Sequence, residues 1–201
     1  MRKIGLLGGT FDPIHIGHIL LGRWAQESFS LDEVWFIPAG VPYMKAFGKV
    51  TSPMLRLQMT ELAIIEEQNM KVCDIELDRK RQTYTYETLE LLREKFPKDE
   101  FFFIFGEDCL NNLKIWKNPE RILSNCEIIA ATRGFASDIE NMRDKAGELT
   151  AEFGGRIHIM EFPALDISST LIRERVNKGL SIKHLVPENV EGFISDMLLY
   201  K

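Results

Sequence analysis

Two histidines three residues apart, His15 and His18, end a segment whose residue types suit phosphate binding. Residues 8–18 read Gly-Gly-Thr-Phe-Asp-Pro-Ile-His-Ile-Gly-His and directly follow a short apolar run. The paired glycines let the backbone approach a ligand without a Cβ in the way, and Gly17 leaves room for a bulky group. Residues three apart share one face of a helix, and imidazole N–H groups beside a helix N-terminus favour phosphate oxygens. The segment therefore predicts an anion site at the start of a helix.

Each part of this segment also has a simpler interpretation. Two glycines after a strand often form only a turn, and a histidine pair near Asp12 could bind a metal ion. A zinc site needs a third and a fourth ligand at suitable spacing, which the isolated His158 and His184 do not supply. The glycine spacing differs from the dinucleotide-binding fingerprint and from the P-loop.

A second segment, residues 167–173, reads Ile-Ser-Ser-Thr-Leu-Ile-Arg and follows an apolar run that ends near Phe162. Three hydroxyl residues in a row are typical of a helix start, although a cap needs only one of them. Arg173 lies four residues after Ser169, so one helical turn brings its guanidinium to the same side. Hydroxyls, free amides and an arginine are compatible with a second anion site, although the segment alone is more typical of a helix cap.

The two segments together favour a polyphosphate ligand bound between them. Each combines a strand, a turn and a helix N-terminus, and they lie at opposite ends of the chain. Lys45, in the loop sequence Val-Pro-Tyr-Met-Lys, could add a mobile positive charge or could simply be a solvated lysine.

The elements that must position these segments alternate between strand and helix. Alternation of this kind predicts an α/β fold with a doubly wound, mostly parallel, Rossmann-like sheet. Ligands of such sheets bind beyond the carboxyl ends of the strands, where both segments fall. Strands are predicted at residues 3–7, 33–38, 71–77, 100–105, 127–131 and 156–162.

Helical patterns separate the strands. A helix is predicted to start near Gly17, and Ser52-Pro53 is a typical start signal for another. Apolar residues at helical spacing predict faces that pack on the core. These faces are Leu55, Met59 and Leu62; Leu89, Leu92 and Phe96; and Val190, Phe193, Ile194, Met197 and Leu198.

Composition indicates an ordinary globular protein of 201 residues, 45% hydrophobic and 27% charged. This excludes a disordered, a collagen-like and a disulfide-stapled chain. We expect one domain over residues 1–201, with a small helical part from about residue 167. The net charge of −5 argues against a nonspecific nucleic-acid binder. Three cysteines without a Cys-x-x-Cys pair, and no apolar run near the ~20 residues of a membrane span, favour the cytoplasm.

The two motifs resemble those of the nucleotidyltransferase superfamily that carries a His-x-Gly-His signature. Class I aminoacyl-tRNA synthetases share that signature, but they are far longer and use a lysine-rich second motif that is missing here. From end to end the chain is similar to bacterial nicotinate mononucleotide adenylyltransferases. The further matches are Thr83-Tyr84-Thr85, Thr88-Leu89, Phe105-Gly106-Glu107-Asp108, Trp116, Thr132-Arg133-Gly134 and Leu185-Val186-Pro187. One departure is Pro42-Tyr43-Met44-Lys45, where the family usually has Pro-Pro-His-Lys.

This resemblance implies adenylyl transfer from ATP to nicotinate mononucleotide, with release of pyrophosphate, as a step of NAD synthesis. It implies Mg²⁺ carried on the ATP phosphates, no metal held by the protein, and neither nucleic acid nor membrane as partner. Carried over by motif, the catalytic residues are His15, His18, Lys45 and Arg173. The ATP-binding residues are Gly8, Gly9, Thr10, Phe11, Gly106, Asp108, Ile167, Ser169 and Thr170, and the mononucleotide-binding residues are Thr85, Trp116 and Arg133.

The chemistry of that reaction suits these residue types. Both substrates are anions, so histidine, lysine and arginine must offset their repulsion, and an ionised phosphate needs no protein base to attack. Trp116 could stack on a pyridine ring or pack in the core, and Asp108 could bind a ribose hydroxyl or cap a helix. The alternatives are a related transferase with another acceptor, a nucleotide-binding regulator without turnover, and a tRNA-binding protein.

Overall fold

The structure is a computed structural model that describes residues 1–41, 50–77, 81–132 and 136–201. It confirms the predicted α/β class, because six parallel strands form one sheet in the order β3-β2-β1-β4-β5-β6. The strands are β1 (Lys3–Gly9), β2 (Glu33–Pro38), β3 (Met70–Val72), β4 (Glu100–Gly106), β5 (Glu127–Ala131) and β6 (Ile157–Met160). The helices are α1 (Ile16–Phe29), α2 (Pro53–Ile64), α3 (Thr85–Lys95), α4 (Glu107–Asn112), α5 (Pro119–Asn125), α6 (Ala136–Phe153), α7 (Ser169–Asn177) and α8 (Glu188–Asp196).

The strand order reverses between β1 and β4, which lie side by side at the centre of the sheet. Consecutive strands run outward from β1 to β3 and then from β4 to β6. Open parallel sheets bind ligands at such a switch point, beyond the carboxyl ends of the strands. The fold therefore places the ends of β1 and β4 at the expected binding edge.

Two hydrophobic cores cover the two faces of the sheet, as the nearly continuous apolar runs of the strands require. Successive residues of β4 point alternately into the two cores: Phe102 and Ile104 into one, Phe101, Phe103 and Phe105 into the other. Helices α1, α2, α7 and α8 contribute buried residues to the first core, and α3, α4, α5 and α6 to the second. This is the doubly wound arrangement predicted from the alternation.

Two predicted strands are shorter than the sequence indicated. Strand β3 ends at Val72 rather than at residue 77, because the backbone turns and the Leu77 N–H donates to the Asp74 carbonyl at 2.8 Å. Strand β6 ends at Met160, and the Phe162 N–H then donates to the Thr132 hydroxyl at 3.3 Å. Apolar residues continue past both ends, so hydropathy alone extended the strands too far.

The predicted helix starts are observed, but some residues predicted to lie on buried helix faces are not fully buried. Ser52 caps α2, where its hydroxyl accepts from the Leu55 N–H at 3.4 Å. Met59 is buried, but Leu55 and Leu62 are only half-buried, because the inward face of α2 also carries a charged residue, Arg56. The predicted α3 face is correct for its two leucines.

The predicted face near the end of the chain is wrong for its last two residues. Val190 and Ile194 are buried, but Met197 and Leu198 are 49% and 64% exposed. Helix α8 ends at Asp196, so those two side chains leave the helical register.

Across the part of the chain that the structure describes, we find no helix with the length and apolarity needed to cross a bilayer.

Candidate active site

The first motif forms the turn between β1 and α1. Phe11 adopts a left-handed backbone conformation, with φ of 50°, and His15 is the N-cap residue of α1. The Ile16 N–H at the start of the helix donates to the carbonyl of Leu185, which lies in the closing Leu-Val-Pro segment, at 3.0 Å. The turn is thus supported from the far end of the chain.

The two histidine side chains lie against each other at this helix start. Their rings stack with centroids 3.7 Å apart and planes inclined by 26°. The backbone N–H of His15 donates to Nδ1 of His18 at 3.2 Å. Since Nδ1 accepts this bond, the proton of a neutral His18 ring sits on Nε2, which is therefore the donor atom of that ring.

Gly17 and Phe11 shape the surroundings of the histidine pair. A Cβ at Gly17 would lie 3.1 Å from the His15 ring, so this glycine makes room for that ring. The Phe11 ring is 2% exposed and meets His18 edge-on at 5.0 Å. The ring of Phe11, which was predicted to bind ATP, is thus buried against the His18 ring.

The second motif begins α7 and bridges directly to the first. The hydroxyl of Ser168 caps the helix by accepting from the Leu171 N–H at 3.1 Å. The next hydroxyl, of Ser169, instead donates to the Pro13 carbonyl at 2.8 Å. Arg173 donates to the Asp12 carbonyl at 2.7 Å and to the Thr170 hydroxyl at 3.3 Å. The motif is thus a helix cap, and its hydrogen bonds also hold the two predicted phosphate-binding segments together.

Asp12 sits at the centre of this brace as a buried carboxylate, 1% exposed. One of its oxygens accepts from the Tyr200 hydroxyl at 2.7 Å, and the other accepts from the Thr51 N–H at 3.3 Å. Burial raises the pKa of Tyr200 well above its usual range, so the hydroxyl keeps its proton and donates. Sequence analysis missed this role of Tyr200, which no local pattern indicates.

Arg56 is a second residue that sequence analysis missed. It is fully buried, and its guanidinium donates to four backbone carbonyls. These belong to Thr51 at 2.9 Å, Thr10 at 2.7 Å, Ala39 at 2.6 Å and Gly40 at 2.9 Å. Burial lowers the pKa of Arg56, and the Asp12 carboxylate opposes that shift. The arginine thereby ties the first motif to the end of β2 and to the residue before the α2 cap.

A cavity of about 280 Å³ lies on the α7 side of the binding edge. It brings together five of the predicted residues: His15, His18, Gly106, Ile167 and Ser169. The rest of its lining includes the carboxyl end of β5 and the segment after β6. The cavity thus joins both motifs, as their phosphate-binding interpretation requires.

A second cavity of about 170 Å³ lies on the α3 side. It brings together Gly8, Gly9, Thr85 and Trp116. The half-buried Trp116 ring lies against Phe105, with centroids 5.9 Å apart, and forms part of the cavity wall. This position is compatible with both the stacking and the packing interpretation of the tryptophan.

The start of α3 forms one side of the second cavity. The helix begins at Thr85, and its N-cap residue provides no side-chain cap. The Glu87 N–H donates to the Tyr84 carbonyl at 3.0 Å, so the amides that lack an intrahelical partner are those of Thr85 and Tyr86. Nearby, the Glu76 carboxylate accepts from the Thr83 and Thr88 hydroxyls at 2.7 and 2.8 Å. Glu76 was not predicted as a site residue. Its two hydrogen bonds connect the segment before α3 to the first turns of that helix.

Three predicted residues, Thr10, Asp108 and Thr170, do not line either cavity. Thr10 is half-buried, and its backbone carbonyl accepts a hydrogen bond from the Arg56 guanidinium. Asp108 is exposed in the first turn of α4, and Thr170 is exposed beside Arg173. Lys45 and Arg133 lie outside the described residues.

The described residues do not form a cluster of metal ligands, as the metal-site interpretation of the first motif would require. Among those residues, no three His, Cys, Asp or Glu side chains are grouped so that they could hold an ion. Both oxygens of Asp12, the carboxylate of the first motif, already accept hydrogen bonds.

The sequence of this chain matches a known protein family. Residues 6–175 match the family model described as cytidylyltransferase-like. A probable nicotinate-nucleotide adenylyltransferase of Lachnoclostridium phytofermentans is 39% identical over 194 residues, which is 96% of each chain. One of Clostridium perfringens strain SM101 is 40% identical over 202 residues and covers 100% of this chain and 99% of that one.

Solved structures agree in fold. Plasmodium falciparum nicotinic acid mononucleotide adenylyltransferase, complexed with APC, has a TM-score of 0.80 at 21% identity and covers 100% of this chain and 98% of that one. The same protein complexed with NaAD has a TM-score of 0.81 at 22% identity, with the same coverage.

Proposed function

The chain belongs to the nicotinate-nucleotide adenylyltransferase family of cytidylyltransferase-like proteins, and on that premise we propose that it adenylylates nicotinate mononucleotide. The substrates are ATP and the mononucleotide, and the products are nicotinate adenine dinucleotide and pyrophosphate, in the synthesis of NAD. The observation that carries this proposal is the pair of cavities at one sheet edge, one formed by the two phosphate-binding motifs and one by Trp116 and the start of α3.

The cavity on the α7 side suits ATP. Protonated Nε2 of His18, the amides at the starts of α1 and α7, and the guanidinium of Arg173 are donors of the kind that triphosphates bind. Gly106 and Ile167 give this cavity small and apolar surfaces that suit an adenosine. We propose that Thr10, Thr170 and Lys45 complete the phosphate contacts, and that Asp108 approaches the ribose from the rim.

The reaction then needs only one displacement. An ionised phosphate oxygen of the mononucleotide attacks the α-phosphorus of ATP, a P–O bond forms, and the bond to the leaving pyrophosphate breaks. No proton has to be removed from the attacking group, so no general base is needed. The protein contributes alignment of the two substrates and donors for the charge that develops on the phosphates.

The cavity on the α3 side suits the acceptor. The backbone amides of Thr85 and Tyr86, at the start of α3, can bind the nicotinate carboxylate, and Trp116 can stack on the pyridine ring. We propose that Arg133 meets the mononucleotide as well. An amide in place of that carboxylate would turn an NH₂ group toward these donors and leave at least one unpaired, which costs about 1–3 kcal/mol. The acid should therefore be preferred over the amide by about tenfold or more.

We propose that Mg²⁺ enters on the ATP phosphates as part of the substrate. When bound there, it neutralises phosphate charge alongside the donors of this chain. The hydrogen bonds that occupy Asp12 support this view.

Residues 1–201 are proposed to act as one domain in the cytoplasm. The C-terminal helices support the single domain, because Ile172, Val190 and Ile194 are buried in the core that covers one face of the sheet. A domain boundary near residue 167 would separate those side chains from that core.

The experiment that tests the function measures pyrophosphate release from ATP with a panel of phosphorylated acceptors. Nicotinate mononucleotide should give the highest kcat/KM, with nicotinate adenine dinucleotide identified by mass. A higher value with another acceptor would show a related transferase instead. No release with any acceptor, despite ATP binding, would show a nucleotide-binding regulator.

The matched variant for the acceptor cavity is Trp116→Ala. It should raise the KM of the acid and amide mononucleotides alike, because stacking does not depend on the ring substituent. Equal kcat/KM values for the two mononucleotides in the unmodified protein would contradict the proposed carboxylate-binding amides.

A further inference from the structure

The penultimate residue, Tyr200, reaches the phosphate-binding turn from the other end of the chain. Its hydroxyl donates to Asp12 at 2.7 Å across 188 residues of sequence. Asp12 is 1% exposed, so its carboxylate needs compensating donors, and the Thr51 N–H at 3.3 Å is the weaker of the two bonds by length. Tyr200 therefore supplies the shorter hydrogen bond to a buried carboxylate.

The C-terminal segment is fixed well enough to set the position of that hydroxyl. Leu199 and Tyr200 pack against the core that α1, α2, α7 and α8 share, and the Leu199 N–H donates to the Ile194 carbonyl at 3.0 Å. The hydroxyl also lies 3.9 Å from the sulfur of Met59 in α2. The tyrosine is thus held by contacts with α2 and by the turn that follows α8.

The turn that Tyr200 contacts carries the anchor points of both motifs. The Asp12 carbonyl accepts from Arg173, and the next carbonyl, of Pro13, accepts from Ser169. Two residues further on, His15 is the N-cap residue of α1. A shift of Asp12 would therefore move the helix start that carries the histidines relative to the one that carries the arginine.

We propose that Tyr200 is a positioning residue for adenylyl transfer, which acts by holding Asp12 and through it the two phosphate-binding helix starts. This inference rests on the proposed function for its turnover measurements. A tyrosine that only stabilised the fold would affect both substrates alike, whereas a positioning residue for the phosphate motifs affects ATP selectively.

Tyr200→Phe tests the proposal, because it removes the hydroxyl and keeps the ring in the core. Small misplacements of aligned groups can cost about 10²-fold in rate, so kcat/KM for ATP should fall at least about tenfold. The KM for nicotinate mononucleotide should stay within about twofold, since its cavity does not include this turn. Ile194→Val is the matched control, because this buried residue of α8 loses one methyl group and no hydrogen bond, and its turnover should be unchanged.

A double-mutant cycle shows whether the effect passes through Asp12. In an Asp12→Asn background, Tyr200→Phe should cost clearly less than in the unmodified protein, because the charged acceptor is already gone. Equal costs in the two backgrounds would overturn the proposal. So would Tyr200→Phe with kcat/KM for ATP within twofold of the unmodified protein, or with an equal rise in KM for both substrates.

The binding of ATP alone separates this inference from the proposed function. If the unmodified protein releases no pyrophosphate with the mononucleotide, the function fails and the calorimetric affinity for ATP becomes the deciding measurement. Tyr200→Phe should then weaken that affinity at least about fivefold, and Ile194→Val should leave it within about twofold. Equal affinities of Tyr200→Phe and the unmodified protein would overturn the inference.

Discussion

Replacing Arg56 with lysine should destabilise the protein although the positive charge is kept. The guanidinium donates to four carbonyls, from Thr10, Ala39, Gly40 and Thr51. An ammonium group has three donors on one nitrogen, so at least one of these carbonyls loses its partner. The site is fully buried, so water cannot replace the lost bond without opening the structure.

The size of the effect follows from the cost of that unpaired group. A buried acceptor without a partner costs about 1–3 kcal/mol. For a chain of this length, one kcal/mol lowers the melting temperature by roughly 2–4 °C, so Arg56→Lys should lower it by roughly 2–12 °C. Because one of the four carbonyls belongs to Thr10 in the first motif, the KM for ATP should rise as well.

Thermal unfolding followed by circular dichroism measures the difference, with Arg121→Lys as the matched control. Arg121 donates to the carboxylate of Glu90 at 2.7 Å, but its side chain is 47% exposed. Surface substitutions of this kind usually change stability by less than about 0.5 kcal/mol. A melting temperature of Arg56→Lys equal to that of the control would refute the reasoning from four buried carbonyls.

Further predictions concern the site and the titratable groups. His18→Ala should stay folded and lose about 10²–10³ in kcat, and near-normal turnover would show that His18 only supports the helix start. Arg173→Ala should weaken ATP more than the mononucleotide in titrations, and unchanged ATP affinity would leave the second motif as a cap and brace. The Arg2 hydrogen bond lowers the pKa of Asp99 from its ordinary 3.8, so the unfolding free energy should fall as pH drops through that lowered value. Asp99→Asn should flatten this acid slope in a pH series of denaturant melts, and an unchanged slope would contradict the assignment. Burial raises the pKa of Cys126 to about 12, so a thiol reagent at pH 8 should leave that residue unlabelled in the folded protein, which mass spectrometry of the labelled peptides can check.

The sequence predicted the sheet and the places of both motifs because these depend on local patterns. Continuous apolar runs are typical of strands covered on both faces, and glycine, histidine and hydroxyl residues after such runs mark the binding edge. The histidine pair at the start of α1 and the serines at the start of α7 lie where these patterns indicated.

The residues that connect the motifs could not be predicted in the same way. Arg56 interrupts an apolar face, so hydropathy assigns it to solvent, and only the four carbonyls that converge on it explain its burial. Asp12 and Tyr200 are paired across 188 positions, a separation that no spacing rule covers. Glu76 and its two threonines form another such contact, because they meet only when the segment after β3 folds back toward α3.

The two cavities draw most of their lining from different parts of the chain. Apart from β1, Phe103 and Trp116, the smaller cavity is lined by residues between Ile37 and Leu89, whereas the larger one takes most of its lining from residues 106–169 and the start of α1. On the proposed assignment of the cavities, substitutions between residues 76 and 89 in the lining of the smaller cavity should change the preference among acceptors more than the affinity for ATP.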